Sequence, residues 1–147
     1  MSNKVDFFMN TSGQTETTID LNNEQLTSFR MALIDEEVEE LRDALINKDR
    51  VEVIDALSDI LYVVYGAGKT FGIDLDKSFD IVHESNMSKF CKTEEEAKAT
   101  VKYYEQNIKL YKTPTYRQNG DLWIVYNEDT GKILKSINYT PAKFIGM

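Results

Sequence analysis

Apolar residues recur at helical spacing through most of the chain. From about Ser28 to Asn47, Ile34, Val38, Leu41 and Leu45 fall at i, i+4, i+7 and i+11, which predicts a long helix with one buried stripe. Asn47-Lys48-Asp49 predicts a break, with Asp49 as N-cap of the next helix. That helix, from about Arg50 to Lys69, carries Val53, Leu57, Ile60 and Val64 on one line and Ile54, Leu61 and Tyr65 on another. Between Ile60 and Val64 it is apolar or aromatic on every side, which places it in the middle of a bundle or at a subunit interface. Gly66, Gly68 and Gly72 are expected to loosen and end it. Asp74 or Asp76 can cap a third long helix reaching to about Phe90. Thr93 with Glu96 forms a capping box for a fourth, whose stripe is Ala97, Val101, Tyr104, Ile108 and Tyr111.

Different patterns flank this helical stretch. Val5, Phe7, Phe8 and Met9 predict a short leading helix, and the polar run from Thr11 to Asn23 reads as loop. After Pro114, Asn119-Gly120 is a strong hairpin signal, and Leu122 to Tyr126 is rich in residues that favour strands. Asn127 to Gly131 turns again into Lys132–Ser136, so a small three-stranded antiparallel tail is expected. The predicted fold is all-α: a four-helix-bundle-like core with a small C-terminal β-hairpin or meander. One domain is expected over 1–147, with a leading segment at 1–27, a helical core at 28–112 and a β tail at 113–147.

Composition narrows the functional classes. With 41% hydrophobic and 29% charged residues, neither a disordered chain nor a membrane protein is indicated. The first residues lack the basic-then-apolar pattern of a signal peptide, and a single cysteine, Cys91, excludes an intramolecular disulfide. A cytoplasmic location is the expectation. The net charge of −8 argues against binding a nucleic-acid backbone. An acidic protein binds a polyphosphate only with a cation between the two negative surfaces.

Carboxylates occupy the wrong positions for a simple amphipathic helix. Leu33, Glu37, Glu40 and Ala44 form a second core-like stripe with two glutamates in its centre, and Glu36 lies one turn from Glu40. A solvated acidic face is the alternative, but such faces mix Lys with Glu, and Asp35 to Glu40 offers no cation until Arg42. On the next helix, Glu52, Asp55, Asp59 and Tyr62 share one line, and Asp59 leads directly into the apolar stretch. Unpaired buried carboxylates are costly, and two such helices relieve the cost by sharing divalent cations. Oxygen-only ligands select a hard ion, Mg²⁺ or Mn²⁺. On the third long helix, Leu75, Phe79 and Val82 continue as Asn86 and Lys89, so its inward line turns from apolar to polar.

These residues resemble the all-α nucleoside triphosphate pyrophosphohydrolases, which include MazG and phosphoribosyl-ATP pyrophosphohydrolase. The matching stretches are Glu36-Glu37-Val38-Glu39-Glu40-Leu41, Asp55-Ala56-Leu57-Ser58-Asp59-Ile60-Leu61-Tyr62, and Asn86-Met87-Ser88-Lys89. The resemblance runs from about Phe29 to Phe90 and is weaker at Phe8 and Gly13-Gln14. The family's Glu-x-x-Asp reads literally as Glu52 to Asp55. By context its Asp is Asp59, and its Glu position then holds Ala56, with Asp55 taking the role from one residue earlier. Glu52 is a secondary candidate.

The resemblance implies that Glu37, Glu40 and Asp59 bind magnesium, with Glu36 and Asp55 as further ligands or a water-orienting base. It also implies that Lys89 steadies phosphate charge, that Asn86 contacts the nucleotide, and that the chain forms a homodimer or homotetramer. The activity implied is hydrolysis of a nucleoside triphosphate to a monophosphate and pyrophosphate. Gln14, Phe8, Tyr62 and Asn86 are candidates for contact with a base. Lys132 and Lys135 could close over phosphates or form a solvated strand face, and His83 and Cys91 are assigned no chemistry. The rivals are a dUTPase-like hydrolase of the same fold and a non-catalytic helical interaction module. A calcium sensor is rejected, because Asp74-Leu75-Asp76 lacks the Gly and distal Glu of a calcium loop.

Overall fold

The computed structural model describes residues 2–106 and 113–145. Within them lie α1 (Ser2–Thr11), α2 (Glu24–Asn47), α3 (Arg50–Thr70), α4 (Leu75–Met87), α5 (Glu94–Gln106), β1 (Pro114–Asn119) and β2 (Leu122–Asn127). Ile108 and Tyr111 of the stripe expected on the last helix lie outside the described residues. The chain forms two compact units, Met1–Ser78 and Phe79–Gly146, with the boundary inside α4. No helix among the described residues is long and apolar enough to cross a membrane.

In the first unit, α3 packs against both α1 and α2. Helix α2 begins at Glu24, earlier than the apolar stripe predicts, because the Asn23 side chain accepts from Leu26 N–H and caps it. It ends at Lys48 in the left-handed conformation (φ 58°), and Asp49 caps α3 by accepting from Val51 and Glu52 N–H. The two helices are therefore joined by a tight turn and run antiparallel.

The inward stripe of α2 differs from the one its apolar residues predict. Val38 is 39% exposed and Leu45 59%, while Arg30 and Ala44 are buried. The line that packs is Arg30, Leu33, Glu37 and Ala44. On α3 the buried positions are small, Ala56, Gly66, Ala67, Gly68 and Thr70, and Ile54, Leu57 and Leu61 are exposed. The reason is spacing: α3 lies close to its neighbours through residues with little side chain, and the bulky positions turn outward. Gly66 and Gly68 correspondingly sit inside the helix and do not end it. A Cβ at Gly68 would lie 2.6 Å from Cγ and Cδ1 of Leu75, so the chain after α3 returns against a bare backbone. Tyr65 donates to Asp76 across the same return at 2.5 Å.

Helix α4 ends at Met87, short of the expected Phe90, with Phe79 and Val82 on its exposed side and Ser85 buried. The second unit has its own core of Cys91, Ala97, Val125 and Leu134, against which Val101, Tyr104, Tyr116 and Trp123 pack. Strands β1 and β2 form the antiparallel hairpin, with Asn119 opposite Leu122 and Gly120 at φ 58° in the loop. The expected third strand reduces to a single bridge between Tyr126 and Ile133. Beyond it the backbone donors go elsewhere: Ser136 N–H to Lys89 O and Ile137 N–H to the Thr100 hydroxyl. Cys91 is sealed in this core, and burial pushes its thiol upward against hydrogen bonds from Thr100 and Ser136.

Glu96 is the polar hub of the second unit. Its backbone N–H bonds to Thr93 Oγ1, as the capping box requires, but its carboxylate reaches Lys92 N–H and Ser136 Oγ. Burial raises this carboxyl, and the hydrogen bonds from Ser136, Lys92 N–H and Asn138 outweigh burial and hold it below the ordinary value. A lowered carboxyl stabilises the fold above its unfolded pKa, and that contribution is lost as pH falls through the folded value.

Two measurements check this packing. Gly68→Ala is expected to destabilise the chain by about 1–3 kcal/mol in thermal unfolding, because Leu75 must move. An unchanged melting temperature would contradict the close return of the chain. Glu96→Gln is expected to cost about 1 kcal/mol at neutral pH and to flatten the loss of stability on acidification below the ordinary glutamate range. Parallel acid limbs for variant and wild type would count against the hub.

Candidate active site

The antiparallel pairing of α2 and α3 brings the two acidic lines together. Glu37 faces Asp59, and two turns along each helix Arg30 faces Gly66, with Arg30 Nη1 at the distance of a contact from a Cβ placed there. A cavity of about 470 Å³ lies along this seam, lined by Phe8, Gln14, Phe29, Arg30, Glu37, Asp59 and Tyr62 among others. Its volume is in the range of small-molecule sites. Phe8 and Tyr62 meet edge to face at 5.6 Å and form part of its wall.

Glu37 is the electrostatic centre. Its Oε2 is buried with no hydrogen-bond partner among the described residues. Burial is the largest force raising its carboxyl above the usual range, followed by the charges of Asp59, Glu40, Glu36 and Asp55. The nearby cation gives no relief, because Arg42 is paired with Glu39 at the surface. A partnerless carboxylate oxygen surrounded by four more carboxylates has the donor chemistry of a hard divalent cation site.

The remaining predicted residues divide into groups. Glu36, Glu40 and Asp55 are exposed flankers whose charges reach Glu37. Ala56, which the context reading sets at the motif's glutamate position, is buried, and Asp55 one position round is exposed. Glu52 lies exposed in the first turn of α3 and is absent from the charges acting on Glu37. Among the described residues no three carboxylates converge into a ready metal cluster. Tyr62 and Gln14 both line the cavity.

Asn86 and Lys89 belong to the second unit. Lys89 Nζ donates to Asn86 Oδ1 at 2.6 Å. The C-terminal segment clasps the turn that carries them: Thr140 N–H donates to Ser88 Oγ at 2.9 Å, and Ser136 N–H to Lys89 O at 3.0 Å. Lys135 lies over the Tyr139 ring at 4.3 Å, which gives a structural role to one of the two lysines considered as phosphate contacts. His83 is exposed.

Arg30, Phe29 and Thr70 are absent from the predicted set. Arg30 is 5% exposed, and its Nε donates to Thr70 Oγ1, itself fully buried, at 2.7 Å. Its guanidinium lies 5.2 Å from the Phe29 ring centroid. The available signal was its position two turns before Glu37 on the stripe that holds the glutamates.

The sequence profile of the phosphoribosyl-ATP pyrophosphohydrolase family matches residues 9–86, more than half of the chain, and the chain belongs to that family. It is also 41% identical over 86 residues to an uncharacterized protein of Acanthamoeba polyphaga mimivirus, an overlap covering 54% of this chain and 33% of that relative. The chain therefore spans about a third of the relative's length.

Glu37→Gln is expected to raise metal-free stability by about 1 kcal/mol, because it removes a desolvated charge among like charges. If Glu37 holds a cation, Mg²⁺ is expected to raise the melting temperature of the wild type and to leave that of the variant unchanged. Metal-free destabilisation together with an intact Mg²⁺ response would show that Glu37 does not hold the cation.

Proposed function

We propose that the protein is a magnesium-dependent nucleoside triphosphate pyrophosphohydrolase, cleaving an NTP or dNTP at its α–β phosphoanhydride to a monophosphate and pyrophosphate. The observation that carries this reading is the buried, partnerless Oε2 of Glu37, beside a cavity of about 470 Å³ with aromatic walls. Membership of the family supports it.

Glu37, Glu40 and Asp59 would hold Mg²⁺ (or Mn²⁺), with Asp55 in support and Glu52 a more distant candidate. Bound there, the cation would neutralise the triphosphate and acidify an attacking water. Glu36 would orient an attacking water and take its proton as the oxygen bonds to the α-phosphorus. The bond from the α-phosphorus to the bridging oxygen breaks, and pyrophosphate leaves with that oxygen. Tyr62, Phe8 and Gln14 receive the nucleoside. The resemblance would give Asn86 a contact with the nucleotide and Lys89 the charge on the phosphates.

Ile54, Leu57 and Leu61 on α3, with Val38 and Leu45 on α2, leave large apolar side chains exposed in a single chain. That supports a homodimer or homotetramer in which a second copy completes a four-helix bundle. A cytoplasmic location and an absence of nucleic-acid partners complete the proposal.

The test is a panel of ribo- and deoxynucleoside triphosphates incubated with Mg²⁺, with nucleotides and pyrophosphate both resolved. Monophosphate plus pyrophosphate is expected, abolished by a chelator and reduced at least about a hundredfold in Glu40→Gln. No turnover of any nucleotide, with no Mg²⁺-dependent stabilisation, would favour an acidic interaction module. Exclusive hydrolysis of deoxyuridine nucleotides, diphosphate included, would narrow the reading to a dUTPase-like enzyme.

A further inference from the structure

The cavity of the first unit has two chemically different ends. At one lie Glu37 and Asp59; at the other, two turns along both helices and so about 10 Å away, lie Arg30 and Gly66. Phe8, Phe29 and Tyr62 line the space between them. A nucleotide with its phosphates at the carboxylate end would lay its base along the aromatic walls and present the far edge of the base to Arg30.

Arg30 is built to meet a ligand as well as to tie helices. It is 5% exposed, and no carboxylate among the described residues lies within ion-pair distance of it. Its one hydrogen bond to a described residue uses Nε, which donates to the fully buried Thr70 hydroxyl. That bond and the Phe29 ring fix the guanidinium plane, and Nη1 lies beside Gly66, 3.4 Å from where a Cβ would stand. A purely structural arginine at such depth would have its terminal nitrogens bonded to protein acceptors.

We infer that Arg30 reads the far edge of the base and selects nucleotides carrying a carbonyl at purine position 6 or pyrimidine position 4. A guanidinium donates and cannot accept. Guanine and hypoxanthine offer it two adjacent acceptors, and uracil and thymine offer one carbonyl. Adenine and cytosine place an amino group, itself a donor, at the same edge. The selection rests on the nucleotide-hydrolase reading for its ligand class, but it is a property of binding and is measured without turnover.

The experiment is calorimetric titration of GMP, UMP, AMP and CMP into the full chain, without and with Mg²⁺, beside the triphosphate panel. GMP and UMP are expected to bind about tenfold to a hundredfold tighter than AMP and CMP. Arg30→Lys and Thr70→Val, checked for unchanged melting, are expected to shrink that ratio towards one while leaving AMP and CMP nearly unaltered. Equal binding of the four bases by wild type would overturn the inference. An equal loss for all four in the variants would overturn it too, by assigning Arg30 to the phosphate. Carbonyl-selective binding without pyrophosphate release would leave the inference standing and remove the hydrolase; turnover without base preference would do the reverse.

Discussion

The close antiparallel seam between α2 and α3 is the constraint on which the site depends. Along it α3 presents the small residues Gly66 and Thr70 to Arg30 of α2, where larger side chains would hold the two helices apart. Once the tight turn at Lys48 and Asp49 sets the register, Glu37 has no choice but to face Asp59. Packing free energy from the rest of the unit is thereby committed to keeping like charges together. In the proposed function a cation shared by both helices offsets that cost.

The same seam separates two tasks along one groove. The acidic end suits phosphate chemistry through a cation, and the guanidinium end suits recognition of neutral polar edges. The aromatic section between them is indifferent to hydrogen bonding and supplies area. In the proposed function, substitutions at one end would leave the other undisturbed, so catalysis and base selectivity would vary separately on a fixed backbone.

Much of this was legible in the sequence, for definite reasons. Asp49 and the Thr93–Glu96 pair act locally, so helix boundaries near them follow from side-chain chemistry within four residues, whereas the cap at Asn23 was read as part of a polar loop and the start of α2 was set too late. The glutamates were visible because Glu37 and Glu40 sit on a core-like stripe between Leu33 and Ala44. What could not be read was which stripe turns inward. Periodicity ranks faces by hydrophobicity, and in this chain the line with Arg30 and Glu37 packs while Val38 and Leu45 stay exposed. Arg30 was missed for the same reason, since an arginine counts as polar until its burial is known. The third strand failed because pairing at Ile133 competes with acceptors on the α4–α5 side of the second unit, a tertiary contest that strand propensity cannot weigh.

Cys91 adds a property unrelated to catalysis. Its sulfur is enclosed by the core of the second unit and its ionisation is opposed by burial. Alkylating reagents and oxidants act on an accessible thiolate, so they reach this sulfur only when the unit opens. The single thiol is thus a built-in clock for the opening of residues 79–146: its rate of modification reads out a local equilibrium, with no label to add and no competing cysteine to subtract.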